Sequence, residues 1–201
     1  MSPGYDFVER VIGKLKYGEA VNELRREMVS RLEWRNYVSV LYVSIGTGRD
    51  LDFLPKHIDP ATLDIHGIDI SLGMLTKCLK NSQKRMSKVS LVNGCAEDLP
   101  FLDNAFDIVF HVGGINFFND KVLAIKEMLR VAKSGTKLLI ADETDDYLKS
   151  QYQKSVLSKG EFQDLTIDMS EIENAIPDFV QEKHIEYLWE KKFYCISFRK
   201  P

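Results

Sequence analysis

The sequence predicts an α/β protein with a doubly wound, mostly parallel seven-stranded sheet that ends in an antiparallel hairpin. Apolar runs of strand length alternate with segments of helical period, which is typical of parallel α/β sheets. A glycine-rich turn directly follows the first apolar run. Two apolar runs near the carboxyl terminus follow each other too closely for a helical crossover, so we expect them to pair as a hairpin.

The composition is that of one globular domain of 201 residues. Basic and acidic residues number 27 and 30, which argues against a broad nucleic-acid footprint. No apolar run approaches the ~20 residues that span a bilayer, and the start MSPGYDFVER lacks the apolar stretch of a signal peptide. We therefore expect no membrane span, whereas the oligomeric state has no signal in the sequence.

The cysteines point to a cytoplasmic protein. Cys78, Cys95 and Cys195 form no CxxC pair and no cluster with zinc-ligand spacing. We expect reduced thiols, as the cytoplasm favours, and no metal site.

The first half of the chain has the expected alternation. Residues 5–35 have helical spacing, with Gly13 and Gly18 as expected breaks. Residues 38–45 form a near-continuous apolar run, which suits a strand buried on both faces. A short helix over residues 49–58 and a second strand over 64–70 follow the glycine turn. Ser71 is the expected N-cap of the next helix, and its expected inward stripe is Leu75, Cys78, Leu79 and Met86.

The second half continues the pattern and then departs from it. We expect strands over residues 89–95, 106–112 and 136–143. Between the last two lies an amphipathic helix closed by Ser134 and Gly135. Its stripe is Val122, Ile125, Met128, Leu129 and Ala132. A more polar segment, 145–178, precedes the two hairpin runs, 184–192 and 193–200.

The strongest candidate site is the turn SIGTGRD, Ser44 to Asp50. A glycine turn between a buried strand and a helix directs backbone N–H groups and a positive dipole end at a ligand. Gly46 and Gly48 permit an approach that a Cβ would block. The third glycine of the dinucleotide fingerprint is absent, since Leu51 stands there. An ordinary strand-to-helix turn is the alternative.

Two further elements follow in order. Asp69 ends the second strand, about 20 residues past the turn, where an acidic residue accepts hydrogen bonds from ribose hydroxyls; an exposed strand-end aspartate is the alternative. The loop over residues 93–101 lies over the same crevice. Its backbone, with Glu97 or Asp98, can contact an adenine edge, and Met74 can pack on the ring face, although each of these is singly more often structural.

Together these elements resemble the class I S-adenosylmethionine-dependent methyltransferases, which are Rossmann-like. The likeness is closest to the group around the ubiquinone/menaquinone C-methyltransferases and their small relatives. Four stretches of this chain are similar to successive segments of the family: VLYVSIGTGRDLDFLP, HGIDISLGML, NGCAEDLPFLDNAFDIVFHVGGINFFND and VAKSGTKLLIADE. Near the start, YDFVER is similar to a family segment that covers the cofactor. The resemblance covers about residues 5–145 and the hairpin.

The resemblance implies S-adenosyl-L-methionine as cofactor. It implies the following contact residues: Tyr5, Ser44, Ile45, Gly46, Thr47, Gly48, Asp69, Ile70, Met74, Cys95, Ala96, Glu97 and His111. We expect a single domain over 1–201, comprising an N-terminal helical lid (1–36), a cofactor-binding core (37–144), a lid segment (145–178) and the hairpin (179–201). The resemblance implies the first lid, whereas the second is expected because segment 145–178 follows strand five at the carboxyl edge of the sheet, where ligands bind. Static packing elements are the alternative for both.

Three positions depart from the family pattern. Tyr42 stands where an acidic residue usually ends strand one, Ser44 replaces the first glycine, and Cys95 replaces the aspartate common after strand three. These departures keep open a non-catalytic protein that binds S-adenosylmethionine or S-adenosylhomocysteine and acts through a partner. A nicotinamide-dependent oxidoreductase is a third hypothesis, disfavoured by Leu51 and the hairpin.

Methyl transfer from a sulfonium needs alignment more than acid–base chemistry. No triad or carboxylate pair is present, and His111 and Glu143 are the only candidates for a catalytic role. Structural roles compete for both: a hydrogen-bonded histidine near the cofactor, and capping of the following helix by Asp142 and Glu143. The sequence lacks the Asn-Pro-Pro-Tyr motif of amino-methylating nucleic-acid enzymes. We therefore expect a small-molecule acceptor, with apolar molecules among the candidates.

Overall fold

The computed structural model describes residues 18–85, 88–144, 147 and 169–201. Seven strands form one sheet in the order β3-β2-β1-β4-β5-β7-β6. The strands are β1 Ser39–Val43, β2 Asp64–Asp69, β3 Val89–Asn93, β4 Ile108–Val112, β5 Lys137–Glu143, β6 Gln181–Leu188 and β7 Phe193–Arg199. Strands β1 to β5 pair in parallel, and β7 pairs antiparallel with both β5 and β6. The predicted fold class is confirmed.

Helices cover both faces of the sheet. They are α1 Gly18–Ser30, α2 Leu72–Arg85, α3 Lys121–Val131 and α4 Met169–Ala175. Leu24 and Met28 of α1 and Cys78 of α2 belong to the core on one face. Ile125 and Met128 of α3 belong with Ile172 of α4 to the core on the other. None of the helices in these ranges is long and apolar enough to cross a bilayer.

Strand order places the crevice. The chain runs outward from β1 to β3 and then returns to β4 on the other side of β1. At such a switch point the loops after β1 and β4 separate, and ligands of open α/β sheets bind outside the carboxyl ends of the strands there. The residues that follow β1, β2, β3 and β4 therefore meet at one edge.

Helix α1 is held firmly within the described residues. Leu24, Met28 and Val29 are buried, and the Arg25 guanidinium forms an ion pair with Asp50 at 2.8 Å. At the other end of the helix, Arg31 pairs with Glu27 and with Glu186 of β6. The helix begins at Gly18, one of the expected breaks; residues 1–17 lie outside the described part of the chain.

Two predicted stripe residues and one predicted helix are corrected. Leu79 is 49% exposed, because the α2 stripe runs through Leu75, Cys78 and Ser82 instead. The Ser82 hydroxyl can be buried because it donates to the Leu79 carbonyl at 2.8 Å. Val122 is 43% exposed, and Ala124, four residues before Met128, takes its place. Residues 49–58 form only a 3-10 turn, Arg49–Phe53. Met86 lies outside the described residues.

The closing hairpin is joined to β5 by Thr144. Its N–H donates to the Lys192 carbonyl at 2.9 Å, and its hydroxyl donates to the Lys191 carbonyl at 2.8 Å. The hairpin turn includes Trp189, Glu190 and Lys191, whose φ angles are 46°, 55° and 64°. Such left-handed backbone costs energy in non-glycine residues and persists where neighbouring contacts hold it.

Candidate functional site

A cleft of about 400 Å³, its open mouth included, lies at the carboxyl edge of the sheet. Loops after β1, β2 and β3 supply one side, and the segment after β4 supplies the other. The cleft is lined by Ser44, Ile68, Ile70, Gly94, Cys95, Ala96, Glu97, Phe117, Phe118 and Asn119. Five residues expected from the sequence are thus brought together: Ser44, Ile70, Cys95, Ala96 and Glu97.

The glycine turn beside this cleft is left-handed at three positions. Ser44, Gly46 and Gly48 have φ angles of 53°, 55° and 71°. Serine is a small residue, yet it lacks the freedom of the glycine that the related pattern has here. The turn is closed by the Gly48 N–H, which donates to the Ile45 carbonyl at 2.8 Å.

The dipole that we expected after this turn is much reduced. A 3-10 turn of five residues follows Gly48 in place of an α-helix. Few peptide dipoles are therefore aligned, so the turn can offer a ligand its backbone N–H groups but not a strong helix dipole.

Asp69 connects the glycine turn to the start of α2. Its Oδ2 accepts from the Gly46 N–H at 2.9 Å, and its Oδ1 accepts from the Ser71 N–H at 2.8 Å. A carboxylate has about four acceptor positions, so two bonds leave capacity for ligand hydroxyls. Ser71 in turn caps α2 as predicted, since its hydroxyl accepts from the Met74 N–H at 3.3 Å.

The loops after β2 and β3 contribute apolar surface and one anchored carboxylate. Ile70, directly after β2, is 73% exposed, and it lines the cleft together with the buried Ala96. Glu97 Oε1 accepts from the Asn119 N–H at 3.0 Å, which ties this loop to the segment after β4. Asp98 is exposed. Ile45, Gly46, Thr47, Gly48, Asp69 and Met74 lie near the cleft without lining it, and Tyr5 lies outside the described residues.

His111 is fully buried beneath the cleft at the end of β4. Its Nδ1 lies 3.1 Å from the Val43 carbonyl, which can only accept, so Nδ1 carries the proton. Nε2 has no hydrogen-bond partner among the described residues. Burial lowers the pKa of His111 to about 4, so the ring is neutral at pH 7. A base that weak and that enclosed is poorly suited to take a proton from a substrate.

Asp142 has a structural role that its sequence position did not indicate. We considered it a cap of the following helix, and most of that segment lies outside the described residues. In the described part, its carboxylate holds the start of the 3-10 turn Ile115–Phe117 after β4. Its Oδ2 accepts from the Gly114 N–H at 2.9 Å and from the Asn116 N–H at 3.2 Å. Burial raises the pKa of Asp142 to about 6. Its neighbour Glu143, the other catalytic candidate, is half-buried and does not line the cleft.

A buried ion pair behind the glycine turn was also missed. Asp50 is 1% exposed, and both its oxygens lie 2.8 Å from Arg25 Nη1. The hydroxyl of Tyr42 donates to the same carboxylate, and the Tyr42 ring stacks on Phe110 with centroids 4.2 Å apart. No periodicity joins residues 25 positions apart, so sequence reasoning had no signal for this pair.

No group of three histidine, cysteine or acidic residues that could hold a metal ion occurs in the described ranges. All three cysteines are free thiols, and Cys95 is the least buried of them.

Comparison with known sequences gives one family. Residues 41–140 match the family model described as "Methyltransferase domain". The demethylmenaquinone methyltransferase of Renibacterium salmoninarum is 40% identical over 103 residues, which are 51% of this chain and 40% of that protein. The enzyme of that name from Staphylococcus carnosus is 34% identical over 135 residues, 67% of this chain and 54% of that protein. The chain thus spans about half the length of the curated relatives it matches.

Solved structures of lower identity share the fold. The PH0226 protein of Pyrococcus horikoshii OT3 has a TM-score of 0.73 at 20% identity, over 96% of this chain and 98% of that one. The cyclase SpnF has a TM-score of 0.70 at 16% identity, over 92% and 83% of the two chains. A SAM-dependent methyltransferase of Aquifex aeolicus has a TM-score of 0.60 at 16% identity, over 87% and 88%. The architecture is therefore shared by a cyclase and a methyltransferase.

Proposed function

This chain belongs to the class I S-adenosylmethionine-dependent methyltransferases, and from that premise we propose that it transfers the methyl group of S-adenosyl-L-methionine to a small-molecule acceptor. This proposal rests mainly on the hydrogen bond that the Gly46 N–H donates to the Asp69 carboxylate at 2.9 Å. That hydrogen bond joins the glycine turn to the mouth of the cleft. The same carboxylate therefore fixes the conformation of the turn and is the group that we expect to bind the ribose hydroxyls.

The cleft suits the nucleoside half of this cofactor. Ile70 and Ala96 both line the cleft and offer apolar surface for a base. Ser44, Cys95 and the backbone of residues 94–97 offer polar atoms at its edge. Because Cys95 replaces an aspartate, the base edge loses one acceptor, and Glu97 Oε1 is already engaged by the Asn119 N–H. We expect adenine binding to rest on stacking and backbone contacts more than on side-chain charge.

For methyl transfer the protein mainly needs to align the acceptor atom with the methyl group and the sulfur of the cofactor. The cofactor supplies a sulfonium methyl group whose leaving group departs neutral. Holding two reactants in line can contribute about 7–11 kcal/mol to lowering a barrier, so residues that position and exclude water are the ones that matter. His111 fits that role as a neutral ring packed edge to face on Phe118, with centroids 5.1 Å apart. Its Nε2 is buried and has no hydrogen-bond partner among the described residues.

For the acceptor we propose a quinone-type aromatic molecule. The curated relatives are named demethylmenaquinone methyltransferases. Apolar surface at the cleft agrees with such a molecule, since Ile70 and Phe117 are both exposed there. We place the acceptor at the Phe117 side of the cleft, next to the end of β5. We also propose a cytoplasmic location, in keeping with the free thiols, and segments 1–36 and 145–178 as covers of the site.

A non-catalytic binding protein is the second candidate, and Tyr42 favours it. Where related enzymes have an acid, Tyr42 has a hydroxyl directed at Asp50, whose charge is already compensated by Arg25. Within the described part of the chain, the carboxylate behind the glycine turn is thus already compensated and is not a free partner for the methionine amine. Weaker binding of the methionine end is compatible with a protein that senses the ligand and does no chemistry.

Calorimetry with S-adenosylmethionine, S-adenosylhomocysteine, NAD and NADP tests the cofactor. We expect binding of the two sulfur ligands alone; tight NAD binding without either of them contradicts the proposal. Incubation with a demethylated quinol and methyl-labelled cofactor, read by mass spectrometry, then separates the two candidates. Labelled product supports the enzyme, whereas cofactor binding without product from any quinol supports the binding protein.

A further inference from the structure

One wall of the cleft is formed by Phe117, Phe118 and Asn119, and residues that do not line the cleft hold it in position. It follows Gly113 and Gly114, whose φ angles of 84° and 112° allow this stretch of backbone a sharp change of direction. A Cβ built on Gly113 would meet nothing within 4 Å. A Cβ on Gly114 would lie 4.0 Å from the His111 ring, an ordinary contact. The wall is therefore not fixed at these glycines; Ile115 and Phe118 pack on the core, and hydrogen bonds made elsewhere add to that packing.

Asp142 supplies the first set of these bonds. The side chain is 4% exposed and lies at the end of β5. Besides Gly114 and Asn116, which donate to Oδ2, the Glu143 N–H donates to Oδ1 at 2.8 Å. Hydrogen bonds to an ionised acceptor are about twice as strong as neutral ones. The carboxylate thus fixes two successive turns of backbone: the loop after β4 and the end of its own strand.

Asn116 supplies the second set. It is 7% exposed, and its amide is used at both ends. Its Nδ2 donates to the Glu143 carbonyl at 3.0 Å, and its Oδ1 accepts from the Tyr194 hydroxyl at 3.1 Å. The residue before Phe117 is in this way tied to β5 and to β7 simultaneously.

We propose that Asp142 and Asn116 are positioning residues that hold the Phe117–Asn119 wall and thereby set the affinity of the cleft for an adenosyl ligand. Neither side chain lines the cleft, so the effect is transmitted through the loop. The proposal rests on the proposed function for the identity of the ligand, although the geometry of the wall does not depend on it.

The proposal makes affinity dependent on pH. A protonated Asp142 carries a hydroxyl donor among the N–H donors of Gly114, Asn116 and Glu143, so it no longer accepts all their bonds. Its charged and titratable neighbours are Tyr194, opposite Asp142 in the β5–β7 register, His111 at the end of β4 and Glu143 on β5 itself. Burial raises the pKa of Tyr194 well above 10 and lowers that of His111 to about 4, so both stay neutral between pH 5 and pH 7.5.

Binding of S-adenosylhomocysteine, measured by calorimetry at several pH values, tests the effect on affinity. Since the pKa of Asp142 is about 6, only about one molecule in ten has the ionised form at pH 5, so wild-type affinity should fall roughly tenfold from pH 7.5 to pH 5. Asn116→Ala should bind roughly tenfold more weakly at pH 7.5. Asp142→Asn should bind weakly at every pH and lose the inflection. Ile140→Val, a core change on the same strand, is the matched control and should bind like wild type.

Hydrogen exchange of the free protein tests the wall without a ligand. Protection factors, which correct for the slower intrinsic exchange at low pH, should fall for the amides of residues 114–119 in Asn116→Ala at pH 7.5 and in wild type at pH 5. Ile140→Val should not change them. Tyr194→Phe removes one hydroxyl and should give a smaller effect in the same amides. Unchanged exchange in all these variants overturns the positioning role. Normal exchange effects without S-adenosylhomocysteine binding at any pH would instead count against the proposed function and against the link to affinity.

Discussion

The hydroxyl of Tyr42 donates a hydrogen bond to the carboxylate of Asp50, eight residues further along the chain. Tyr42 occupies the position where the family usually has an acidic residue. In this chain the negative charge instead lies after the glycine turn, and Arg25 of α1 compensates it. The result is that the N-terminal helix and the glycine turn are joined through one buried carboxylate.

Replacing Arg25 should destabilise the fold more than replacing a surface arginine. Arg25→Met leaves Asp50, 1% exposed, without its counter-charge. Removing one partner of a buried pair costs about 3–5 kcal/mol, and because the Arg25 side chain is 21% exposed we expect about 2–3 kcal/mol after discounting for solvent screening. Urea unfolding measures the change. Arg35→Met is the control, since Arg35 is 59% exposed beside Asp107 and should cost less than about 1 kcal/mol. Equal losses in the two variants contradict the prediction.

Asp69→Ala should weaken binding of S-adenosylhomocysteine. A carboxylate that accepts ligand hydrogen bonds contributes about 1.5–3 kcal/mol, which is roughly one to two decades in Kd. The variant also loses the bond to the Gly46 N–H, so part of the effect acts through the turn. Asp64→Ala, on an exposed residue at the other end of β2, is the control. Unchanged binding by a folded Asp69→Ala protein places Asp69 outside the site.

Cys95 should be the thiol that reports occupancy of the cleft. Cys78 and Cys195 are buried, and burial raises the pKa of Cys195 to about 11, which suppresses its thiolate. Cys95 is half-buried and lines the cleft. A maleimide should therefore modify Cys95 first, and S-adenosylhomocysteine should slow that reaction, with peptide mass spectrometry as the readout. Rapid labelling of Cys95 in a protein saturated with ligand means that the ligand binds elsewhere; Cys95→Ser controls for other sites.

The effects of His111 and Asp142 on the pH dependence of the free energy of unfolding should nearly cancel. The pKa of His111 falls from 6.5 to about 4 in the folded protein, so its contribution to stability is lost as pH falls from about 6.5 to 4. The pKa of Asp142 rises from 3.8 to about 6, so its contribution is lost as pH rises from about 4 to 6. Each change corresponds to about 3 kcal/mol at ~1.4 kcal/mol per pKa unit.

Asp142→Asn should remove this cancellation. The difference in unfolding free energy between wild type and variant should increase by about 3 kcal/mol in favour of wild type from pH 7 to pH 4. Urea unfolding at four or five pH values measures it, and Ile140→Val should give a constant difference over the same range. A constant difference for Asp142→Asn as well would show that Asp142 titrates normally.

The two covering segments remain predictions, the first from the family likeness and the second from the position of residues 145–178 after β5. The structure describes residues 18–36 of the first segment, and residues 147 and 169–178 of the second. Hydrogen exchange with S-adenosylhomocysteine should show added protection in residues 1–20 and 145–178 as well as around Gly46–Gly48. Protection of the glycine turn alone would argue against covers and would leave the loop 113–118, at the Phe117 side of the cleft, as the acceptor site.

Local patterns predicted the parts of the fold that depend on local physics. The apolar run of residues 38–45 predicted a strand buried on both faces. This prediction is confirmed, since four of the five residues of β1 are buried. Ser71 could be predicted as the N-cap of α2 because the hydrogen bond from the Met74 N–H to its hydroxyl spans only three residues. The short link between the last two runs predicted the hairpin, since no helix fits there.

The errors and omissions have physical causes that the sequence does not display. Leu79 has the spacing of a buried residue, yet burial of Ser82 depends on a hydroxyl bond that no hydrophobic pattern records. Asp50 and Asp142 are held by residues 25 to 28 positions away. Which carboxylate becomes buried therefore depends on how strands order themselves, and strand order is a property of the whole sheet.

The position of β7 bears on how the protein is made. Strand β7, Phe193–Arg199, lies between β5 and β6, so β5 has no partner on that side before Phe193 has been synthesised. Strand β5 carries five consecutive buried residues, and an open apolar strand edge is a template for aggregation. At about 5–20 residues per second, the roughly 50 residues between Glu143 and Phe193 take several seconds to appear. A nascent chain with this strand order benefits from a chaperone that covers extended apolar segments during that interval.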